Sequence, residues 1–376
     1  MKICAIICEY NPFHLGHRYL IEQIKKTNQF DTILCVMSEH FTQRGEIAML
    51  DSYTRARHAV LGGADAVVSL PCVFATSSAE TFAKGAINLL STIPSVKAIA
   101  FGVENGSEND FRFAAEKLNN ETKEIRESIC ESMKTGMSYI RAREKAYGEP
   151  SSFLSSPNNI LGIEYARAIL SAQADISIIP VKRVGQGYLE TNRAEEFASA
   201  SSIRAHLNDG GYLKNHLPAF VFDDILPSPQ HDYEIACMTA LRLTDKETLK
   251  SCPDCSEGLE NAILSHYVSY GELVDSVSGK RYTKSRIRRI LLHNLLGIRS
   301  LDMKTALRTP LYLKVLAVGE NKKILSALSE SPLPLLTKGE HALALNREQA
   351  YFYALEQKAE RIYEVCAQRK ICKKIF

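Results

Sequence analysis

Residues 3–26 read ICAIICEYNPFHLGHRYLIEQIKK, and this stretch decides the fold class. The apolar, β-branched run at 3–8 is typical of a buried strand, and the apolar spacing of residues 18–26 predicts an amphipathic helix. Two histidines, His14 and His17, lie at the seam between them. Ligands of open α/β sheets bind outside the carboxyl ends of the strands. The seam is therefore the first place to look for a functional site.

The same alternation of strand and helix patterns continues through the first two hundred residues or so. Four more apolar runs follow, each preceded by a helical pattern: TILCVM (32–37), DAVVSL (65–70), VKAIAFG (96–102) and DISIIPV (175–181). Short strands separated by long helical patterns predict a parallel sheet with helices on both faces, which is an α/β fold.

The alternation ends near the segment at 214–232, which carries three prolines and is typical of a linker. Beyond it the patterns are mainly helical. We therefore expect a first domain over 1–215 and a mostly α-helical second domain over 216–376. Residues 309–325 are an exception, because their pattern predicts one strand followed by a turn and a helix.

The composition is that of a globular protein: 376 residues, 45% hydrophobic and 24% charged. No apolar run is long enough for a transmembrane helix, and the N-terminus reads as a strand and not as a signal peptide. We therefore expect a cytoplasmic protein without a membrane partner. Its ten cysteines are expected to be free thiols in a reducing compartment.

The close pair Cys252 and Cys255 lacks a second pair at zinc-ribbon spacing, so no metal site is predicted. The net charge of +3 at pH 7 indicates no partner by itself, and a nucleic-acid surface would have to come from local clustering.

The seam after the first strand is suited to an anion. Backbone N–H groups and the helix dipole favour negative charge at a helix start, and Gly16 lets the backbone approach a ligand closely. Two imidazoles there could hold a polyphosphate and stabilise charge on a departing pyrophosphate. The alternative is an ordinary helix start with one surface and one buried histidine.

A second motif, EFASASSIRAHL, lies at 196–207. Its serines Ser199, Ser201 and Ser202 precede Arg204 at a predicted helix start. Serine hydroxyls commonly cap the N-terminus of a helix, and an arginine there can bind phosphate. The alternative is a capped helix with a solvated arginine.

Together, His-x-Gly-His after the first strand and the serine–arginine motif resemble the signature of the HxGH nucleotidyltransferase superfamily. Longer strings narrow the resemblance to one family. EYNPFHLGH (9–17), MSEHFTQRGEIAMLD (37–51), SPNNILGIEYARAI (156–169) and TKSRIRRILLHNLLGI (283–298) are similar, in this order, to the tRNA(Met) cytidine acetate ligase family. The resemblance implies a Rossmann-like domain that activates acetate with ATP as acetyl-adenylate. It also implies transfer of the acetyl group to N4 of the wobble cytidine of elongator tRNA(Met), giving N4-acetylcytidine.

The resemblance further implies the site residues. His14, His17 and Arg204 would be catalytic, stabilising the transition state at the α-phosphorus and gripping the triphosphate. The ATP would be wrapped by one continuous segment: Ile7, Cys8, Glu9, Tyr10, Asn11, Pro12, Phe13, His14, Leu15, Gly16, His17, Arg18, Tyr19 and Leu20. Gly102, Asn158, Arg183, Ser201 and Arg204 would complete the site, and Mg²⁺ is expected to accompany ATP. From sequence alone Asn159 is as good a candidate as Asn158, and the family pattern favours Asn158.

Each of these residues also has an ordinary structural interpretation. Gly102 could end a strand, the two asparagines could cap a helix, and Arg183 could be solvated. The resemblance also implies that the polar loop after the second strand lies near the active centre, where Gln43, Arg44 and Glu46 would face acetate or cytidine. Arg44 is a natural candidate as donor to a small carboxylate.

The tRNA would lie on a basic stretch that precedes and opens a predicted helix. Its cations are Arg281, Lys284, Arg286, Arg288 and Arg289. A basic helix face suits a phosphate backbone, and the alternative is a solvated helix face. Two other functions stay open at this point: a nucleotidyltransferase that adenylylates a small phosphate ester, and an RNA-binding module without activity.

Overall fold

The structure is a computed structural model of the whole chain. It describes residues 1–135, 137, 141–142, 145–146, 153, 156–183, 197–265, 269–279 and 281–373.

One sheet of seven strands forms the centre of the fold, in the order β5-β4-β1-β2-β3-β6-β7. The strands are β1 (Ile3–Cys8), β2 (Thr32–Ser38), β3 (Ala66–Leu70), β4 (Val96–Val103), β5 (Ser177–Lys182), β6 (Leu313–Val318) and β7 (Leu335–Leu336). The first five strands run parallel, as predicted. β1 lies between β2 and β4. The turn that follows β1 therefore lies near the middle of the sheet, at the carboxyl ends of its parallel strands.

Helices cover both faces of the sheet. In the first half of the chain they are α1 (Leu15–Lys26), α2 (Ser52–Leu61), α3 (Cys72–Ala75), α4 (Ala79–Leu90), α5 (Glu108–Asn119), α6 (Lys123–Lys134) and α7 (Pro157–Ala172). In the second half they are α8 (Ala200–Ala205), α9 (Gly210–His216), α10 (Ala219–Phe222), α11 (Gln230–Arg242), α12 (Lys246–Lys250), α13 (Leu259–Leu264), α14 (Tyr270–Val277), α15 (Lys284–Leu296), α16 (Ser300–Ala306), α17 (Lys323–Ser329) and α18 (Arg347–Cys366). A 3₁₀ turn spans Gly339–Ala344.

The strands are apolar on both sides because both sides are covered. Along β1, Ile3 and Ala5 belong to the core on the side of α4, α5 and α7. Cys4 and Ile6 belong to the opposite core, on the side of α1 and α2. This division confirms the predicted layered α/β architecture. None of the helices that the structure describes combines the length and apolar character needed to cross a membrane.

The predicted strand, turn and helix at 309–325 are confirmed by β6 and α17. β6 runs antiparallel beside β3, so the region after residue 215 supplies two strands to the sheet as well as its helices. Helix α15 begins where Thr283 accepts the N–H of Arg286 at 3.3 Å. It ends at Gly297, whose φ of +73° suits a left-handed helix terminus.

Candidate active site

A cleft opens at the carboxyl ends of β1, β4 and β5. Of the predicted site residues, those that line it are Ile7, Cys8, Glu9, Tyr10, Asn11, His14, Gly16, His17, Tyr19, Leu20, Arg44, Gly102, Asn158, Arg183 and Arg204. Five predicted residues lie behind or beside this lining: Pro12, Phe13, Leu15, Arg18 and Ser201. Phe13 is fully buried under the histidines, and Arg18 is half exposed and paired with Glu22 at 3.0 Å.

The two histidines cap helix α1 for each other. His14 is the N-cap residue, and its Nδ1 accepts the N–H of Gly16 at 3.1 Å. His17 Nδ1 accepts the N–H of His14 at 3.2 Å, so the pair forms a capping box in which imidazoles take the usual places of serine and glutamate. The rings stack with centroids 3.6 Å apart. Local backbone geometry therefore fixes both side chains.

This hydrogen bonding also fixes the position of the ring protons. A backbone N–H can only donate, so each Nδ1 is an acceptor and each neutral ring carries its proton on Nε2. Burial and the nearby Arg183 lower the pKa of His17 to about 3. Burial, with His17 next, lowers the pKa of His14 well below its usual range. Both rings are neutral near pH 7 and offer Nε2–H as a donor.

Gly16 leaves room for the ring of His14. A Cβ there would lie 3.0 Å from Cε1 and 3.1 Å from Nδ1 of His14. Any side chain would press on the ring and disturb the bond from the Gly16 N–H. The glycine of the motif is therefore explained by the fit of the first histidine.

Two arginines bring positive charge to the cleft. Arg204 of α8 donates from Nη1 to the carbonyl of Asn11 at 2.8 Å, which ties the serine–arginine motif to the seam after β1. Arg183 follows β5, and its aliphatic stem passes over Gly102, where a Cβ would lie 3.1 Å from Arg183 Cγ. Two motifs nearly two hundred residues apart in sequence thus face one cleft.

The two adjacent asparagines have different environments. Asn158 lines the cleft and donates to Glu104 at 2.7 Å. Asn159 is fully buried and donates to the side-chain oxygen of Asn105 at 2.6 Å. The geometry favours Asn158 as the residue that meets a ligand.

The loop after β2 forms another wall of the cleft, with Gln43, Arg44 and Glu46 in its lining. The N–H of Gln43 donates to Glu9 at 2.7 Å, and burial raises the pKa of the Glu9 carboxyl. The side chain of Gln43 donates to the carbonyl of Ser77 at 2.9 Å. The loop is thus fastened to the end of β1.

Sequence reasoning missed Arg55, a fully buried residue of α2. Its guanidinium donates to the carbonyls of Glu9, Ser38 and Leu50, at 3.1 Å and 2.9 Å for the last two. It therefore joins the ends of β1 and β2 beneath the cleft. The pattern SYTRARHAV carries no local sign of this, since both of its arginines read as solvated cations.

Two cations of the predicted RNA-binding stretch are exposed. Arg281 pairs with Glu257 at 3.2 Å with 66% of its side chain exposed, and Lys284 pairs with Asp275 at 2.6 Å with 56% exposed. Exposed pairs of this kind are weak and can exchange partners.

The other three cations have inward partners. Arg286 donates to the carbonyl of Asp254 at 2.9 Å, and Arg289, which is buried, donates to the Asp254 carboxylate at 2.7 and 3.0 Å. Arg288 donates to Glu46 at 2.5 Å. These residues hold α15 against the rest of the molecule.

Among the residues that the structure describes, no group of three or more His, Cys, Asp or Glu could hold a metal ion. Cys252 accepts a hydrogen bond from Arg299 at 3.2 Å, but burial outweighs it and raises the Cys252 pKa, and burial raises the pKa of Cys255 to about 12. Both are therefore thiols at neutral pH.

The family model described as HIGH Nucleotidyl Transferase matches residues 1–375. A tRNA(Met) cytidine acetate ligase of Thermoanaerobacter sp. (strain X514) is 38% identical, with 90% of this chain and 89% of that one covered. Another, of Clostridium novyi (strain NT), is 35% identical with 96% of each covered.

The fold is similar to the crystal structure of Thermotoga maritima TmcAL bound with alpha-thio ATP. The TM-score is 0.86 at 26% identity, with 99% of this chain and 97% of that chain covered. The match extends over both the sheet and the C-terminal helices, and the resemblance in the sequence motifs is confirmed. By its motifs, its fold and its relatives, this chain belongs to the tRNA(Met) cytidine acetate ligase family of HIGH nucleotidyl transferases.

Proposed function

We propose that the protein is an ATP-dependent acetate ligase that acts on elongator tRNA(Met) in the cytoplasm. It forms acetyl-adenylate with release of pyrophosphate and then acetylates N4 of the wobble cytidine. The observation that carries this proposal is the pair of neutral, mutually capped histidines facing a cleft with Arg183 and Arg204. The relatives named tRNA(Met) cytidine acetate ligase match this chain over nearly its whole length.

ATP lies in the cleft with its triphosphate at the start of α1. His14 and His17 donate from Nε2 to phosphate oxygens, and Arg204 and Arg183 supply positive charge. Because each Nδ1 accepts a backbone N–H, each neutral ring keeps its Nε2–H free to donate a hydrogen bond to the pentavalent transition state. The acetate carboxylate attacks the α-phosphorus, the bond to the β-phosphate oxygen breaks, and pyrophosphate leaves.

Mg²⁺ would come bound to the triphosphate, since no group of three or more His, Cys, Asp or Glu among the described residues could hold it. The carboxylates of the cleft are engaged: Glu9 accepts from the N–H of Gln43, and Glu46 accepts from two arginines. The ion would be held by phosphate oxygens and water, and the steps assigned to the side chains do not depend on it.

Acetate binds beside Arg44, whose loop joins the cleft wall to Glu9. Transfer from acetyl-adenylate to an exocyclic amine has a good leaving group, so positioning supplies most of the acceleration. The cytidine would be splayed out of its loop and read on its Watson–Crick edge. The helices after residue 216 carry the RNA, with Arg281 and Lys284 as the exposed cations.

The test is transfer of labelled acetate to purified tRNA, with ATP present or omitted. We expect ATP-dependent label in wild type and its loss in His14→Ala and His17→Ala. His231→Ala is the matched control, since this histidine is exposed on α11. Pyrophosphate release with a small phosphate ester but not with acetate would indicate an adenylyltransferase. Binding of tRNA without any pyrophosphate release would indicate a non-catalytic RNA-binding module.

A further inference from the structure

One carboxylate joins the phosphate-binding motif to the basic helix. Glu46 Oε1 accepts from Nη1 of Arg288 at 2.5 Å, and its Oε2 lies 3.4 Å from Nη2 of Arg204. All three side chains are largely buried, with 21% of Glu46 and 29% of each arginine exposed. Ion pairs at this depth are screened by solvent much less than pairs on the surface.

The turn that carries Glu46 is tightly closed. The N–H of Gly45 donates to the carbonyl of Thr42 at 2.9 Å, and the N–H of Thr42 donates to the carbonyl of Glu46 at 2.9 Å. Phe41 and Ile47 form a bridge at its base. The turn therefore holds the Glu46 backbone in one place relative to the cleft.

On its other side the turn touches the backbone of α15. A Cβ on Gly45 would lie 2.6 Å from the carbonyl carbon of Arg288, and the φ of +74° at Gly45 also favours glycine. Tyr233 of α11 donates to the Gly45 carbonyl at 2.8 Å. A side chain at position 45 would not fit between the turn and the helix, so the turn that carries Glu46 is in direct contact with α15.

We propose that Glu46 is a positioning residue for Arg204. The affinity of Arg204 for the nucleotide depends on whether Glu46 is also paired with Arg288. In the structure, two guanidiniums share one carboxylate, so Arg204 is only loosely held by it. When Arg288 is replaced by an uncharged residue, Glu46 pairs with Arg204 alone. Arg204 then binds the triphosphate less well, because the carboxylate neutralises more of its charge. This inference rests on the proposed binding of ATP in the cleft.

The test is a double-mutant cycle on the Kd for ATP, measured by calorimetry with Mg²⁺ and without acetate or tRNA. Arg288→Gln should raise the Kd about fivefold in the wild-type background, a size usual for coupled sites. In the Glu46→Gln background the same change should raise it less than about twofold, because the carboxylate that transmits the effect is gone. Arg288→Lys, which keeps the charge, should bind ATP nearly as wild type does.

The matched control is Lys304→Gln, which removes an exposed charge from α16 and should leave the Kd unchanged. The thermal melting curve of each variant shows whether it is folded. If Arg288→Gln is unfolded, Arg288→Met is used in its place. An equal rise of Kd in both backgrounds, or no rise in wild type, would overturn the inference. Failure of the wild-type protein to bind ATP at all would overturn the proposed function instead, and this inference with it.

Discussion

Lys314 and Glu39 form a buried ion pair that fastens β6 to the end of β2. The Lys314 Nζ lies 2.9 and 2.8 Å from the two carboxylate oxygens, and Ser69 donates to the same carboxylate at 2.6 Å. The Lys314 charge holds the pKa of Glu39 down to about 2 against the effect of burial. The pair belongs to the part of the sheet that the second half of the chain completes.

Lys314→Met should therefore leave a buried, unpaired carboxylate. We expect a loss of about 3 kcal/mol in the free energy of unfolding, measured by urea denaturation. Lys97→Met is the control, because Lys97 pairs with Asp175 on the surface and should cost less than about 1 kcal/mol. Equal losses for the two variants would contradict the importance of the buried pair.

Gly16→Ala should lower the activity of the protein without lowering its stability. The new methyl group lies 3.0 Å from the His14 ring and must displace it by a few tenths of an ångström. We expect kcat/KM for ATP to fall about tenfold, since small misplacements of catalytic groups are costly. The melting temperature should hardly change, because alanine is a good helix former.

The control for this substitution is Gly271→Ala in α14, where nothing lies within 4 Å of the added Cβ. It should leave kcat/KM at the wild-type value. Full activity in Gly16→Ala would show that the His14 position tolerates displacement.

The low pKa of His17 predicts a dependence of stability on pH. In the folded protein this pKa is about 3, whereas the ordinary value is 6.5, so between these values the unfolded chain binds more protons. The contribution of neutral His17 to the free energy of unfolding is therefore fully present above pH 6.5 and declines as the pH falls toward 3. His17→Gln should lose less unfolding free energy between about pH 7 and about pH 5 than wild type does. Parallel losses in urea titrations at the two pH values would refute this assignment.

Arg44→Ala tests the proposed acetate site. Because a guanidinium recognises a carboxylate directly, the KM for acetate should rise at least about tenfold while the Kd for ATP changes less than about twofold. Arg242→Ala on α11, an exposed position, is the control. Unchanged acetate dependence in Arg44→Ala would exclude Arg44 from acetate binding.

Charge reversal of the exposed cations tests the RNA surface. Arg281→Glu with Lys284→Glu should weaken tRNA binding and lower its dependence on salt, while acetyl-adenylate formation continues. These positions are better suited than Arg286, which is bonded to the Asp254 carbonyl, and Arg288, whose pairing with Glu46 reaches the ATP cleft. Lys123→Glu with Lys134→Glu on α6 makes the same charge change elsewhere on the surface. If this second pair weakened binding as much, the effect would be one of total charge.

The strand, the turn and the helix at 3–26 could be predicted because their signals are local. A β-branched run, a turn with glycine and an apolar helix spacing each act within a few residues. The parallel order of the first five strands follows from the alternation of these units. The cleft position follows in turn, since it lies where parallel strands end.

The pairings across the molecule could not be predicted in this way. The buried Arg55, the pair of Arg288 with Glu46 and the antiparallel position of β6 depend on which segments meet in space. A cation on a helix reads as solvated until the opposing acceptor is known. The basic stretch at 281–289 therefore indicated one basic face, whereas the fold divides it into exposed and inward cations.

The reciprocal cap at the start of α1 has a consequence for how this protein can change over generations. The two imidazoles that we propose to contact ATP also accept hydrogen bonds from backbone N–H donors at the start of the helix. A drifting copy that lost either histidine would also fray the helix that follows the central strand. Selection on folding alone would favour a capping side chain at both positions, and serine and glutamate would serve as well, so only the proposed reaction accounts for imidazoles at both.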